Sequence, residues 1–247
     1  MSDFQASSPA EPADDGRQST RKRTAIIEAA TTAFLHHGYL GTSMDAIATA
    51  AGVSKQTVYK HFADKQHLFS AIVITTVNDA SDPVYNEVRD LQDSGDIEAD
   101  LRDLARRQLA VVIQPRLMQL RRLVIAEAGR FPELGRTFYE QGPGRTIAAL
   151  AATFEQLAAR GVLQLQDPLL AASHFNWLIM SAPLNEAMLL GRDEPLKPAD
   201  LRRHADTGVR TFLAAYGRRT ERFVDAWVSG DGTKDALQAS EYEEPRR

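Results

Sequence analysis

An all-α fold in two parts is what the sequence predicts, and three observations predict it. Apolar residues recur at three- and four-residue spacing from about residue 20 to residue 217. Helix-opening residues and Gly or Pro stops punctuate that period again and again. No stretch has the polar–apolar alternation of a half-buried strand, and no internal repeat is visible.

The elements follow in order. Residues 1–16 are rich in Ser, Pro, Ala and acid with no apolar period, and are expected to be disordered. A helix over 20–37 carries Ile26, Ala30 and Phe34 on one stripe and stops at Gly38. Ser43 is a good N-cap, because its hydroxyl can accept from a free amide of the first turn. Ile47, Ala48 and Ala51 then recur at helical spacing. Gly52 sits where the chain must turn sharply and positive φ favours a residue without Cβ. Val53 plugs that turn, Ser54 caps the next helix, and Val58 and Phe62 point back to the core. Asp64 caps a further helix with Leu68, Phe69, Ile72 and Val77, which Asp82-Pro83 is expected to punctuate.

Asp93-Ser94-Gly95 is a turn, and from Asp96 the period resumes with Ile97, Leu101, Leu104 and Ala105. Pro115 opens a helix with the stripe Leu117, Leu120, Val124, Ala128 and Phe131, ended by Phe131-Pro132. Gly142-Pro143-Gly144 is a strong break before an Ala-rich helix from about 144 to Arg160, stopped by Gly161. Asp167-Pro168 opens a helix that is apolar nearly all round. Lys197-Pro198 opens the last, with Leu201, Ala205, Gly208, Phe212 and Tyr216 at helical spacing. The organisation expected is a disordered segment 1–16, an N-terminal three-helix unit over 20–80, a larger helical domain over 81–217 and a polar, disordered tail over 218–247.

Composition narrows the function. The 247 residues are 43% hydrophobic and 25% charged, enough for a substantial core in an ordinary globular chain. The net charge of −4 argues against a protein that coats nucleic acid, yet Arg17, Arg21, Lys22, Arg23, Lys55, Lys60 and Lys65 face only Glu28, Asp45 and Asp64 in the same stretch, a local charge of +4. Cysteine is absent, which excludes disulfides, thiolate catalysis and cysteine metal sites. There is no signal-peptide pattern. The apolar stretch Leu169–Leu190 contains His174, Asn176, Ser181, Pro183 and Glu186, so a buried helix explains it better than a membrane span. The compartment expected is the cytoplasm, with no membrane partner.

The stretch from Thr42 to Lys65 reads as a helix-turn-helix whose outer residues suit bases and phosphates. The unit resembles the DNA-binding domain of the TetR family of bacterial transcriptional regulators. The matching residues are Ala33-Phe34, Gly38-Tyr39, Thr42-Ser43-Met44, Ile47-Ala48, Ala51-Gly52-Val53-Ser54, Thr57-Val58-Tyr59, His61-Phe62 and Lys65 with Leu68. Further on, Arg122-Leu123-Val124-Ile125-Ala126-Glu127-Ala128, Phe131-Pro132-Glu133-Leu134 and Gly142-Pro143-Gly144 look like the C-terminal domain of the AefR-like branch of that family.

The resemblance implies that the second helix of the motif enters the major groove. Lys55 and Gln56 would lie nearest the base edges, where Lys reaches guanine and Gln pairs with adenine. Thr57, Tyr59 and His61 match positions used mainly for phosphate, Lys65 matches a lysine at a helix start that faces phosphate, and Lys60 serves either. Ser43 caps, and its hydroxyl or Met44 reaches the DNA backbone. For Tyr59 core packing remains an alternative, and for Arg17 to Arg23 a solvated charge run stands beside a phosphate or minor-groove arm.

No catalytic or metal motif competes. His36 and His37 point about 100° apart on a helix, His174 and His204 are isolated, and Ser, His and Asp show no motif context. No cofactor is implied, and an enzyme is the weakest class. A small-molecule pocket is the better candidate, lined by Arg121, Val124, Glu127, Ala128, Phe131, Phe138, Tyr139, His174 and Trp177. The bland alternative is that Arg121 and Glu127 are margin residues extending to water.

The function expected is a sequence-specific transcriptional regulator, a repressor released by an apolar or aromatic effector, binding a palindromic double-stranded operator as a homodimer through the last two long helices. An activator, a regulator without an effector and a helical interaction module are the alternatives. The helix from Asp64 is expected to touch both domains and to carry the signal between them.

Overall fold

In a computed structural model, residues 12–190 and 197–218 are described. Among them ten α-helices follow one another: α1 (Pro12–Gly41), α2 (Met44–Ala50), α3 (Lys55–His61), α4 (Lys65–Asp90), α5 (Ile97–Val112), α6 (Pro115–Ala128), α7 (Pro132–Tyr139), α8 (Arg145–Ala159), α9 (Pro168–Leu189) and α10 (Pro198–Tyr216). The only β-type pairing among these residues is one isolated bridge, Leu163 with Gly217. The all-α class is as expected.

Local chemistry sets the helix ends. Ser43, Ser54, Asp64, Asp96 and Asp167 each accept from the amide three residues on, at 3.1, 3.1, 2.8, 3.1 and 2.9 Å. Each satisfies a donor the helix itself leaves orphaned. Proline opens α6, α7, α9 and α10, where its missing N–H costs nothing.

Several boundaries differ from expectation. The chain turns at Gly38 (φ 71°), but a further helical turn carries α1 to Gly41. At its other end α1 starts at Pro12, so the last residues of the segment 1–16 are helical and not disordered; residues 1–11 lie outside the described residues, as does the tail from 219 on. Pro83 does not end α4, which runs on to Asp90. A proline inside a helix removes one hydrogen bond and crowds the preceding turn, a cost of about 3 kcal/mol. Val84, Val88 and Leu91 beyond it are all buried, and each contributes roughly 1.5–3 kcal/mol, so burial outweighs the proline. Likewise, Gly142-Pro143-Gly144 does not open a loop. It lies in a π-helical segment, Glu140–Gly144, that joins α7 directly to α8, with Gly142 at φ −101°, ψ −105° absorbing the bend.

Two hydrophobic cores result, and α4 serves both. The N-terminal core packs Ile26, Phe34, Ile47, Val58 and Phe62 against Leu68, Phe69, Ile72, Val73 and Val77 of α4, and it also takes in Leu117, Leu120, Val124, Leu134 and Phe138 of α6 and α7. The C-terminal core gathers Val84 and Val88 of α4 with α5, α8, α9 and α10 around Phe154, Phe175 and Phe212, whose rings lie 5.1–5.7 Å apart. Arg106 clamps α5 to α10 by donating to both oxygens of Asp206 at 2.7 and 2.9 Å. Those hydrogen bonds hold the Asp206 carboxyl below the usual range.

Ala205 and Gly208 of α10 face inward. Ala205 is fully buried in the C-terminal core, and a Cβ on Gly208 would lie 2.6 Å from Ile179 Cδ1 of α9. The small residues serve contact within the chain. Gly208→Val should therefore lower stability by about 1–3 kcal/mol in urea unfolding, the ordinary cost of overpacking a fitted core. A neutral result would mean that α9 and α10 are not in this close approach.

Candidate nucleic-acid interface and ligand cavity

The turn between α2 and α3 is built entirely from its own backbone. After Ala51, Gly52 adopts φ 64°, its amide donates to Thr49 at 3.2 Å, and the Val53 amide reaches back to the Ala48 carbonyl at 3.1 Å. This double closure needs a left-handed residue, and glycine supplies it without strain. Ile47, Ala48 and Val58 are buried beneath, so the two helices are held on one small core and the opposite face is free.

On that face Lys55, Gln56, Tyr59 and Lys60 are exposed, while Thr57 and His61 are half-buried. Tyr59 is 45% exposed, so its ring is not a core element. The Thr57 hydroxyl is 2.8 Å from the Ser54 hydroxyl. Lys55 reaches back to Asp45 of α2, its Nζ 2.8 and 3.0 Å from the two carboxylate oxygens. That hydrogen bond raises the Lys55 pKa, and the pair is open to solvent, where such a bridge is readily exchanged for another anion. Met44 is buried in the core, so its side chain is not available to a ligand; the hydroxyl of Ser43 and the first amides of α2 are what that edge presents. Arg17, Arg21, Lys22 and Arg23 are exposed along α1, and the Arg23 guanidinium lies 5.3 Å from the centre of the Phe62 ring at the end of α3.

Lys65 has a structural task that its sequence position does not announce. Its Nζ donates to the backbone carbonyls of Tyr39 at 2.9 Å and Thr42 at 3.0 Å and sits 4.5 Å above the Tyr39 ring. The first residue of α4 thus ties together the end of α1 and the entry to α2. Tyr39 in turn stacks on Phe34 and meets Phe69 at a tilt and Phe131 edge to face, at 5.7, 5.4 and 5.1 Å between centroids.

Behind this unit lies a cavity of about 50 Å³. Its walls are Val77, Ala80, Ser81 and Val84 of α4; Gln108, Val111 and Val112 of α5; Leu117 and Arg121 of α6; Phe138 of α7; Gly142 and Pro143 of the π-helical segment; Thr146 of α8; and Asn176, Trp177, Met180 and Leu184 of α9. Of the residues read from sequence as pocket candidates, Arg121, Phe138 and Trp177 line it. The others do not. Val124 belongs to the N-terminal core, Ala128 packs against Gly135 of α7, Phe131 meets Tyr39 edge to face, Glu127 is not among the lining residues, Tyr139 is exposed, and His174 is exposed with its ring 2.6 Å from the Tyr216 hydroxyl. The cavity meets α6 along Leu117 and Arg121, while Leu120 and Val124 pack in the N-terminal core, to which Leu117 also belongs.

Gln108 and Asn176 were missed. Both are polar residues on the apolar faces of their helices, 4% and 2% exposed, and that placement was the available signal. Among the described residues no cluster of His, Asp or Glu could hold a metal ion, and no helix is long and apolar enough to cross a membrane.

The comparison with known proteins decides the family. A family model for the C-terminal domain of AefR-like transcriptional repressors matches residues 99–218, and one for bacterial regulatory proteins of the tetR family matches residues 26–72. A TetR-family transcriptional regulator from Mesorhizobium loti is 47% identical, with a TM-score of 0.76, and the match covers 81% of this chain and 98% of that one. The chain belongs to the TetR family of transcriptional regulators. A second solved relative of this TetR-family chain, the flavonoid-responsive regulator FrrA, is 35% identical with a TM-score of 0.67, over 81% of this chain and 100% of its own. Among curated relatives, the HTH-type regulator YhgD of Bacillus subtilis is 40% identical over 58 residues, so the chain matches 30% of that protein's length.

Removing the Lys65 tie leaves two half-buried carbonyls without a partner. Lys65→Met should cost about 1–3 kcal/mol in equilibrium unfolding. Lys60→Met, on the free face of α3, should stay within about 0.5 kcal/mol of the parent. Equal costs at the two positions would show that the Lys65 bonds do not hold in solution.

Proposed function

We propose that this TetR-family chain is a repressor that binds a palindromic operator as a homodimer and releases it when an aromatic effector occupies the cavity. One observation carries the reading. The same helix, α4, supplies four residues of the cavity wall and begins with the lysine bonded to the backbone that enters the helix-turn-helix. Movement of that wall is therefore movement of the DNA-binding unit.

On DNA, α3 enters the major groove. Gln56 and Lys55 read base edges, Lys55 exchanging Asp45 for guanine or phosphate. Ser43, Thr57, Tyr59, Lys60 and His61 face the backbone, with Lys65 at the helix start beside them. The local excess of positive charge supplies the salt-dependent part of the affinity. Lys55→Ala or Gln56→Ala should change base preference at about 1–3 kcal/mol per pair, whereas Tyr59→Phe should weaken all sequences alike.

The dimer is better formed through α8 and α9 than through α9 and α10. Leu169, Leu170, Trp177 and Leu189 of α9 and Leu190 just after it are exposed in the single chain, and Ala148 and Ala152 are exposed on α8. The outer face of α10 instead carries Arg202, Arg203 and Arg210. An apolar patch on one face and a basic one on the other favour the first for a self-complementary contact.

FrrA responds to flavonoids, and a largely apolar cavity with a few polar groups suits the same broad class of ligand here. A cavity of about 50 Å³ is much smaller than the roughly 300–1,000 Å³ of ordinary ligand sites, so an effector must part its walls. Release follows only if the ligand prefers the parted state.

The test is fluorescence anisotropy on the DNA upstream of the chain's own gene, with naringenin as effector. Naringenin should dissociate the complex, and saturating operator should weaken naringenin binding by the same factor, about 5–150-fold. Ala80→Trp, which fills the cavity from α4, should abolish the response and leave operator binding intact. Equal naringenin affinity with and without operator would sink the proposal.

A further inference from the structure

We infer that the cavity is made for a ligand with an acidic oxygen on an aromatic body, a phenolate or a carboxylate, received by Arg121 and flanked by the Gln108–Asn176 amide pair. The inference rests on the reading of the cavity as the effector site and names the chemistry of what it takes.

Gln108 and Asn176 are buried, and the Gln108 Nε2 donates to Asn176 Oδ1 at 3.0 Å. One bond between two amides uses one donor and one acceptor. Gln108 Oε1 and Asn176 Nδ2 are left buried with no hydrogen-bond partner, and both residues line the cavity. Turning both amides over merely exchanges which end is orphaned. A pair left half-satisfied in an apolar wall is costly, and a ligand oxygen or hydroxyl between the two free ends would remove the cost.

Arg121 presents the stronger signal. It lines the same cavity, its Nε is buried without a partner, and no carboxylate among the described residues pairs with it. Its only described contact of a polar kind is with the face of Phe138, the guanidinium carbon 5.0 Å from the ring centre. Burial alone pushes its pKa down, with no anion to oppose the shift. Arginine stays charged in this position; the side chain is half-buried, with its Nε the atom shut away from water in a mostly apolar wall without a partner. Folded proteins rarely keep such a group unless something else supplies the anion. An anionic ligand oxygen does so by a charge-assisted hydrogen bond, and Phe138, Trp177 and the aliphatic wall receive the ring system. Neutral hydrocarbons and cations are the ligands this wall rejects.

The test uses the full chain and isothermal titration calorimetry. The probes are naringenin and its 7-O-methyl ether, in which the 7-hydroxyl is capped and the other two phenols remain, and 4-coumarate and its methyl ester. Wild type should bind at least one acidic probe more tightly than its methylated partner, and the pair that discriminates tells phenolate from carboxylate. Arg121→Met should weaken the preferred acidic probe about 10- to 100-fold and leave the methylated one within about threefold, the range of one hydrogen bond to a charged group. Arg121→Lys should restore part of the difference. A merely structural arginine predicts the reverse pattern in thermal unfolding: the Met variant should melt at or above the wild-type temperature if the charge is uncompensated, and well below it if the arginine holds the fold. Equal affinity of wild type for acidic and methylated probes, failure of all four to bind, or an unstable Met variant overturns the assignment. If Ala80→Trp binds the preferred probe as the wild type does, the cavity itself is not the effector site, and the reading beneath fails separately.

Discussion

The helix α4 is held in two hydrophobic cores at once, and the rest of the molecule is arranged around that constraint. Its first half is fixed by Leu68, Phe69, Ile72, Val73 and Val77 against the helix-turn-helix, its second by Val84 and Val88 against α5 and α8 to α10. At 1.5 Å per residue, the lysine that bonds the backbone of Tyr39 and Thr42 is roughly 28 Å from Val84. A helix of that length anchored at both ends transmits a displacement instead of absorbing it. The one place where it can yield is Pro83, where a backbone bond is missing, and the cavity lies immediately before it along Val77, Ala80 and Ser81. Phe131 against Tyr39 gives a second path, from the α6–α7 junction to the end of α1.

Much of this was legible in the sequence because it is local. Ser43, Gly52 and Ser54 announce the helix-turn-helix through capping and positive φ, properties that depend on neighbours within five residues. The family resemblance over the first quarter of the chain rests on the same residues. What failed is non-local. Pro83 reads as a stop unless the burial of Val84 and Val88 is known, and burial is set by α5 and α8. Gly208 reads as one small residue at helical spacing until Ile179 is found opposite. The cavity was read from the α6 stripe and a few aromatic and polar groups beyond it, but a cavity belongs to the space between helices. About 60° around α6 separates Arg121, which lines it, from Val124, which does not. His174 was a reasonable polar group on an apolar helix; Asn176, two residues on and pointing some 200° away around the helix, is the one that faces inward.

The polar groups of the cavity bear on the same coupling. Its walls lie close enough to leave about 50 Å³ and to keep their dispersion contacts, and among the lining residues Gln108, Asn176 and Arg121 each have a buried atom without a partner. Apolar side chains of similar size at these positions would remove the unsatisfied groups at a gain in stability. On the proposed reading these groups would also set the sign of control. An anion would reach the buried Nε side of Arg121 by sitting between α4, α6 and α9, for which about 50 Å³ is too small. Such a ligand would then favour a parted arrangement over this one. A difference in affinity between two states is what a ligand needs to move α4, and through Lys65 the helix-turn-helix, from one to the other.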